Sequence, residues 1–310
     1  MNERLSKKIS SSSTLIIDEP MSRHTSWNVG GKAGIFFKPS SISDLKSFLS
    51  SLDDNENIYW IGLGSNLLVR DGGYKGVVIC TLNLPREFME IEENIIKVSS
   101  GMPCAVFSKK CTKLKLGPTS FFAGIPGTLG GALAMNAGAF GEETWMNIDS
   151  VETINRKGEI NKRTPKEYKV SYRSVEGIQE EWFLSATFAL YKDENINTGD
   201  TRKLLSKRAK AQPIGKRSCG SVFRNPIDDY AARLIDEAGL KGQRVGDAAV
   251  SEKHANFIIN LGSARASDIE NLIYKIKNKV KDKFSIDLEL EVKIIGENSC
   301  RNSLIKKGLI

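Results

Sequence analysis

Residues 124–141 read GIPGTLGGALAMNAGAFG, with six glycines (124, 127, 130, 131, 138 and 141), four alanines and no charged residue in a chain that is 26% charged. Such a stretch is not a flexible linker, because Ile125, Leu129, Leu133, Met135 and Phe140 would be left in water. It reads as backbone that something large and partly anionic must approach closely. Glycine permits φ > 0 and lets amide N–H groups face a ligand with no Cβ in the way.

A second loop of this kind lies upstream, in IYWIGLGSNLLV at 58–69. An apolar strand enters Gly62-Leu63-Gly64-Ser65-Asn66, and the chain becomes apolar again at Leu67. Strand, Gly/Ser/Asn turn, strand is what a phosphate cradle needs, with donors from backbone and short side chains. A Rossmann fingerprint is excluded, since no third glycine follows and no helix pattern begins after the GxG. Walker-type G-K-[ST] is absent too. Alone, either loop reads as an ordinary tight turn; two in one domain favour a large phosphate-bearing cofactor.

A length of 310 residues predicts two domains, or one large domain with a satellite. No run approaches the ~20 apolar residues of a membrane span. The start, MNERLSKKIS, lacks the apolar core of a signal peptide, which predicts a cytoplasmic protein. Five cysteines (80, 104, 111, 219 and 300) without a CxxC pair, and two histidines, argue against disulfides and a zinc site. Cys104, Phe107, Cys111 and Leu114 recur at helical spacing, as core positions do. The net charge of +8 is spread along the chain, densest at 203–217 and 275–283. Solvated faces explain most of it, and a surplus suits phosphate-bearing ligands without requiring nucleic acid.

Pattern predicts helices over 40–52, 103–115, 201–211 and 228–238, and a helix over 267–284 capped by Ser267 with Glu270 completing a capping box. Strands are predicted at 58–61, 67–69, 76–82, 94–99, 182–191 and 257–259, with a hairpin around Arg156-Lys157-Gly158. KDENINTGD reads as a polar linker over 192–200 without apolar anchors. Mixed strands and helices with no regular βαβ alternation predict an α+β fold.

Three residues could carry chemistry, and each has a plainer reading. Ser221, in SCGSVFRNP, reads by itself as a turn residue, and the absence of GxSxG excludes a nucleophile elbow. Arg173 follows Tyr172 in VSYRS, a pair that reads first as a surface contact. Glu291 falls on the polar side of IDLELEVKII, a strictly alternating half-buried strand. These patterns alone give a phosphate-cofactor protein and no mechanism.

The ordered set HTSWNVGGKAG, GLGSNLL, GIPGTLGGALAMNAGAFG, SYR, SCGSVFRNP, HANFIIN and LELEVKIIG resembles the UDP-N-acetylenolpyruvoylglucosamine reductases, flavoenzymes of peptidoglycan precursor synthesis. The likeness runs from His24 to Gly296. It implies an α+β FAD-binding region of the vanillyl-alcohol-oxidase/p-cresol-methylhydroxylase type at 1–195, in two α+β subdomains completed by a strand at 286–296. A substrate-binding domain at 196–285 and a loose tail at 297–310 follow from it. FAD would be held by Gly62, Gly64, Ser65, Asn66 and Leu67 and by Gly124, Gly127, Thr128, Gly131, Asn136 and Gly138. A non-covalent flavin is expected, because His24, the one histidine of the N-terminal half, lies well before either loop.

By the same resemblance, NADPH reduces the flavin, and hydride then passes to the enolpyruvyl β-carbon of UDP-N-acetylenolpyruvoylglucosamine. Ser221 protonates the α-carbon, while Arg173 and Glu291 stabilise the enolate. The residue types suit the chemistry. A guanidinium binds a carboxylate bidentately and keeps its charge. A glutamate beside a carboxylate and away from water tends to stay protonated and can donate a hydrogen bond. Asn225 matches a substrate-binding position, and Tyr172 is assigned to the substrate in partial place of the Tyr that an inserted loop supplies elsewhere in the family. Ala211 stands where the family pattern carries Lys, so Lys210 is assigned to the nucleotide, with Lys216 nearby. The 48 positions between Arg173 and Ser221 match the shorter subclass, which lacks an inserted Tyr loop. A monomer without metal, nucleic-acid or membrane partner is expected.

Overall fold

The apolar run predicted at 182–191 becomes the middle strand of a five-stranded antiparallel sheet in a computed structural model that describes residues 10–299. Glu181–Ala189 pairs with Ile148–Asn155 on one side and Ile95–Ser99 on the other, and Ile160–Arg163 and Phe88–Glu92 form the edges. The hairpin at Arg156-Lys157-Gly158 joins two of these strands, with Gly158 at φ +80. Helix Cys104–Lys113 packs Phe107 against Phe188 at 4.8 Å and Phe122 at 5.1 Å between ring centroids. Cys104, Phe107 and Cys111 are fully buried, as their spacing predicts, whereas Leu114 ends the helix and is 42% exposed. Burial pushes the Cys104 and Cys111 thiols up to about 12, and all four described cysteines are free.

That sheet belongs to a first compact unit of Phe36–Gly62, Val78–Arg208 and the described part of Met1–Ile16. A second unit gathers Ile17–Ile35, Leu63–Val77 and the described part of Ala209–Ile310. A further sheet orders Thr14–Pro20, Lys32–Lys38, Tyr74–Cys80 and Ile58–Ile61. Tyr74–Cys80 starts two residues before the predicted 76–82 and ends at Cys80, because Thr81–Asn83 coils into a 3-10 turn.

In the second unit a three-stranded antiparallel sheet of Arg244–Val245, Ala248–Val250 and Ile258–Asn260 shares a core with helices Ala231–Glu237 and Ala266–Phe284. The long helix buries Ile269, Leu272, Ile273, Ile276 and Val280 completely. Each is worth about 1.5–3 kcal/mol of transfer free energy. Trp27 locks into the same core, its Nε1–H donating to the Ile258 carbonyl at 2.8 Å while the Asn260 amide donates to the Trp27 carbonyl at 2.8 Å.

Three local expectations fail for physical reasons. The Ser267/Glu270 capping box does not form. The helix starts at Ala266, the Asp268 carboxylate accepts the Arg265 N–H at 2.9 Å, and both Asp71 oxygens accept the Ala266 and Ser267 N–H groups at 3.0 Å. Glu270 instead pairs with Arg70 at 2.9 Å. Second, helix Thr198–Ala211 begins inside the presumed linker, which is anchored by Ile196: a Cβ at Gly117 would lie 2.5 Å from its Cδ1. Third, the alternation at 286–294 appears as alternating burial, with Leu288 and Val292 buried and Glu289 exposed, but regular strand is confined to Lys293–Ile295, parallel to Leu67–Val69. The signal-peptide reading of residues 1–9 and most of the presumed tail, 300–310, fall outside the described residues. Among the described residues no helix is long and apolar enough to cross a membrane.

Candidate active site

The two glycine loops meet. A Cβ at Gly62 would lie 2.3 Å from Thr128 Oγ1 and 2.9 Å from its Cγ2, so only glycine lets the first loop reach the second. Thr128 is itself committed, capping helix Leu129–Met135 by accepting the Gly131 N–H at 3.4 Å. Gly130 allows that helix to sit on Ser100, to whose carbonyl its N–H donates at 2.8 Å. The Gly127 carbonyl accepts the Cys104 N–H at 3.0 Å and fastens the loop to the neighbouring helix.

Beyond Gly62 the first loop turns through Gly64, at φ +62, where a Cβ would collide with the His24 carbonyl at 1.9 Å. Asn66 donates from Nδ2 to the Glu291 carbonyl at 3.0 Å, and its own carbonyl accepts the Lys293 N–H at 3.0 Å. Leu67 is buried and opens the strand paired with Lys293–Ile295. Among the described residues, neither the Gly64 nor the Ser65 N–H finds an acceptor. A Cβ at Gly131 would meet nothing nearer than Thr128 Oγ1 at 3.8 Å, and the buried Ser100 hydroxyl has no partner. Unbonded amide donors at Gly64 and Ser65, and open backbone at Gly131, are each a feature that suits a dinucleotide such as FAD.

Asn136 behaves differently from a ligand-facing residue. It is 1% exposed, sits in the left-handed region at φ +46, and ends the Leu129–Met135 helix. Its Nδ2 donates to Glu143 Oε2 at 2.7 Å and to the Ser171 carbonyl at 3.1 Å, and its Oδ1 accepts the Trp145 N–H at 3.2 Å. Arg173, also left-handed at φ +54, reaches the same turn: Nη2 donates to the Gly138 carbonyl at 2.9 Å and Nη1 to that of Asn136 at 3.4 Å. Glu143 lies 4.0 Å from the guanidinium, and the Tyr172 ring lies under it at 5.0 Å. A Cβ at Gly138 would come 3.1 Å from Arg173 Nη1. Arg173, Tyr172, Asn136 and Gly138 thus form one cluster in the first unit. At Gly124 a would-be Cβ would lie 2.8 Å from the Phe140 ring, 3.3 Å from Ala139 Cβ and 3.4 Å from Arg208 Nη1. Burial lowers the pKa of that arginine, whose place beside the glycine segment the sequence reading missed.

In the second unit Ser221 and Glu291 are neighbours across a ladder. The Glu291 N–H donates to the Val222 carbonyl at 2.9 Å, Phe223 bridges to Leu290, and the Arg224 N–H donates to the Glu289 carbonyl at 2.9 Å. Gly220 stands before Ser221 at φ +74 with open space on its would-be Cβ side. Ser221 and Glu291 are half-buried, and among the described residues the Ser221 hydroxyl makes no hydrogen bond. Asn225 is exposed and its Oδ1 accepts the Ala231 N–H at 3.2 Å, which leaves its amide to donate. Lys210 is exposed on its helix and makes none of this ladder's bonds. The sequence reading also missed Asn256, which clamps Phe223 through two side-chain bonds; an Asn at the entry to an apolar strand pattern is the signal that could have found it.

Residues 33–163 match the family described as FAD binding domain, and residues 212–295 match UDP-N-acetylenolpyruvoylglucosamine reductase, C-terminal domain. The UDP-N-acetylenolpyruvoylglucosamine reductase of Coxiella burnetii (strain Dugway 5J108-111) is 49% identical, covering 92% of this chain and 96% of the relative. That of Legionella pneumophila (strain Paris) is 48% identical, covering 93% and 95%. A crystal structure of UDP-N-acetylenolpyruvylglucosamine reductase from Thermus caldophilus aligns with a TM-score of 0.75 at 30% identity, covering 91% of this chain and 98% of that one.

Proposed function

This chain belongs to the UDP-N-acetylenolpyruvoylglucosamine reductase family, FAD-containing oxidoreductases of peptidoglycan precursor synthesis, and from that premise we propose that it uses NADPH to convert UDP-N-acetylenolpyruvoylglucosamine to UDP-N-acetylmuramate. FAD, held non-covalently, supplies the relay by which the electron pair and hydrogen of NADPH reach the enolpyruvyl β-carbon. Gly64 and Ser65 would offer main-chain donors to its diphosphate, and Gly131, whose would-be Cβ meets nothing nearer than 3.8 Å, would offer open backbone.

Ser221 gives its hydroxyl proton to the α-carbon, completing the lactyl ether. A strongly basic carbanion needs only a well-placed proton, and that placement is worth roughly 10²–10⁴-fold in rate. Arg173 holds the substrate carboxylate, on which charge grows as hydride arrives. Glu291, kept protonated, donates a hydrogen bond to the same group. The observation that supports this reading is that the Glu291 N–H donates to the carbonyl of Val222, the residue after Ser221, at 2.9 Å. Tyr172, Asn225 and Lys210 are assigned to the nucleotide sugar. Residues 1–195 with 286–296 are the FAD-binding region and 196–285 the substrate domain of a cytoplasmic monomer.

The test is one anaerobic cuvette. NADPH bleaches the flavin band of the purified protein, and the band returns on adding UDP-N-acetylenolpyruvoylglucosamine. A band that NADH bleaches equally well, or that stays bleached after the substrate, overturns the reading.

A further inference from the structure

Segment 222–224 is held on two sides. On one side lie 289–292, through the Glu291 N–H to the Val222 carbonyl at 2.9 Å, the Val292 N–H to the same carbonyl at 3.4 Å and the Arg224 N–H to the Glu289 carbonyl at 2.9 Å. On the other lies a single residue. Asn256 Oδ1 accepts the Phe223 N–H at 2.9 Å, its Nδ2 donates to the Phe223 carbonyl at 2.8 Å, and its main-chain carbonyl accepts the Val222 N–H at 2.9 Å. One side chain thus copies the pair of bonds that an adjacent strand would make, at a position 3% exposed.

Without that pair, Phe223 would keep its bridge to Leu290 and Val222 its bond to Glu291, so the core contacts of the second unit would remain. What would be lost is the side-chain restraint on Phe223, downstream of Gly220, a left-handed glycine with open space beside it, while the bond from the Val222 N–H to the Asn256 main-chain carbonyl would stay. Ser221 lies between the two. Its half-buried hydroxyl makes no bond of its own among the described residues, so main-chain position alone aims it.

We propose that Asn256 is a positioning residue for Ser221, a main-chain splint that fixes where the hydroxyl proton is delivered. This rests on the reading of Ser221 as proton donor. A misplacement near 1 Å can cost about 10²-fold in a step that depends on approach. The step affected is α-carbon protonation, with no role in flavin reduction by NADPH.

Stopped-flow of the FAD-loaded full chain separates the two half-reactions. In Asn256→Ala, NADPH reduces the flavin at the unmodified rate, and reoxidation by UDP-N-acetylenolpyruvoylglucosamine slows about 10- to 100-fold. The solvent deuterium isotope effect on reoxidation rises, because proton delivery becomes limiting; a merely structural defect leaves it unchanged. Asn256→Asp keeps the bond from the Phe223 N–H and falls between the two, and it decides the question if the alanine variant does not fold. Equal slowing of both half-reactions, or none of either, overturns the inference. Ser221→Ala run alongside separates the two claims: unchanged reoxidation there removes the proton-donor reading itself, whereas slowed reoxidation there with normal Asn256 variants removes this inference alone.

Discussion

Asn136 and Asn256 are two buried asparagines whose side-chain amides both donate and accept, and they fasten their surroundings in opposite ways. Asn136 draws three segments together, bonding the Glu143 carboxylate, the Ser171 carbonyl and the Trp145 N–H. Asn256 puts both of its polar side-chain atoms on one residue, Phe223. The first is a hub, and its removal frees several strands of chain at once. The second is a splint, and its removal loosens one short stretch that ends at Ser221. Both removals strand buried main-chain groups and cost stability, and around Asn256 a rate is at risk as well.

The largest effect is expected at the end of the splinted stretch. Ser221→Ala should leave flavin reduction by NADPH intact and slow reoxidation by the enolpyruvyl substrate about 10²–10⁴-fold. Stopped-flow absorbance checks it, and equal loss in both half-reactions would make Ser221 a structural residue. At the hub the expected loss is in folding instead. Asn136→Ala strands the buried Trp145 N–H and Ser171 carbonyl and puts an alanine at φ +46, costing about 3–5 kcal/mol. Urea denaturation measures this; a loss below 1 kcal/mol would show that Asn136 gathers nothing. Across the ladder, Glu291→Gln should keep about tenfold more turnover than Glu291→Ala, because an amide can still donate the hydrogen bond. Identical activity in the two variants would point to proton transfer as the role of Glu291.

The same contrast explains what could be read from the sequence. Glycine loops, the buried cysteine stripe and the apolar face of Ala266–Phe284 are local patterns, and they are where the periodicity placed them. The cap of that helix was not legible, because Asp71 comes from 195 positions away and Asp268 outcompetes the more conspicuous Ser267/Glu270 spacing. Nor was Asn136 legible as a hub: in a run of Gly and Ala it looks ligand-facing, and its partners Glu143 and Ser171 lie beyond the motif. Glu291 appeared solvated by alternation, yet it is half-buried, since its flanking residues pair with 222–224 rather than with a long regular strand. Motif resemblance supplied Arg173 and Ser221; periodicity had no means to find them, as Arg173 is itself left-handed and Ser221 follows the left-handed Gly220.

The sharpest test of the hub is the other end of its own helix. Leu129–Met135 is seven residues long, capped at its start by Thr128 and ended by Asn136. Thr128 is 2% exposed, but its hydroxyl serves one N–H, that of Gly131 at 3.4 Å, a long bond. Thr128→Ala should therefore cost about 1 kcal/mol, the ordinary value of an N-cap. It also removes the Oγ1 that would stand 2.3 Å from a Gly62 Cβ, so the combination of Thr128→Ala with Gly62→Ala should be better tolerated than Gly62→Ala alone. Urea midpoints of the three variants measure both claims. If Thr128→Ala destabilises as much as Asn136→Ala, the helix as a whole holds the region and Asn136 is merely its C-cap. If the double variant is no better than the sum of its parts, the meeting of the two glycine loops is not what requires glycine at position 62.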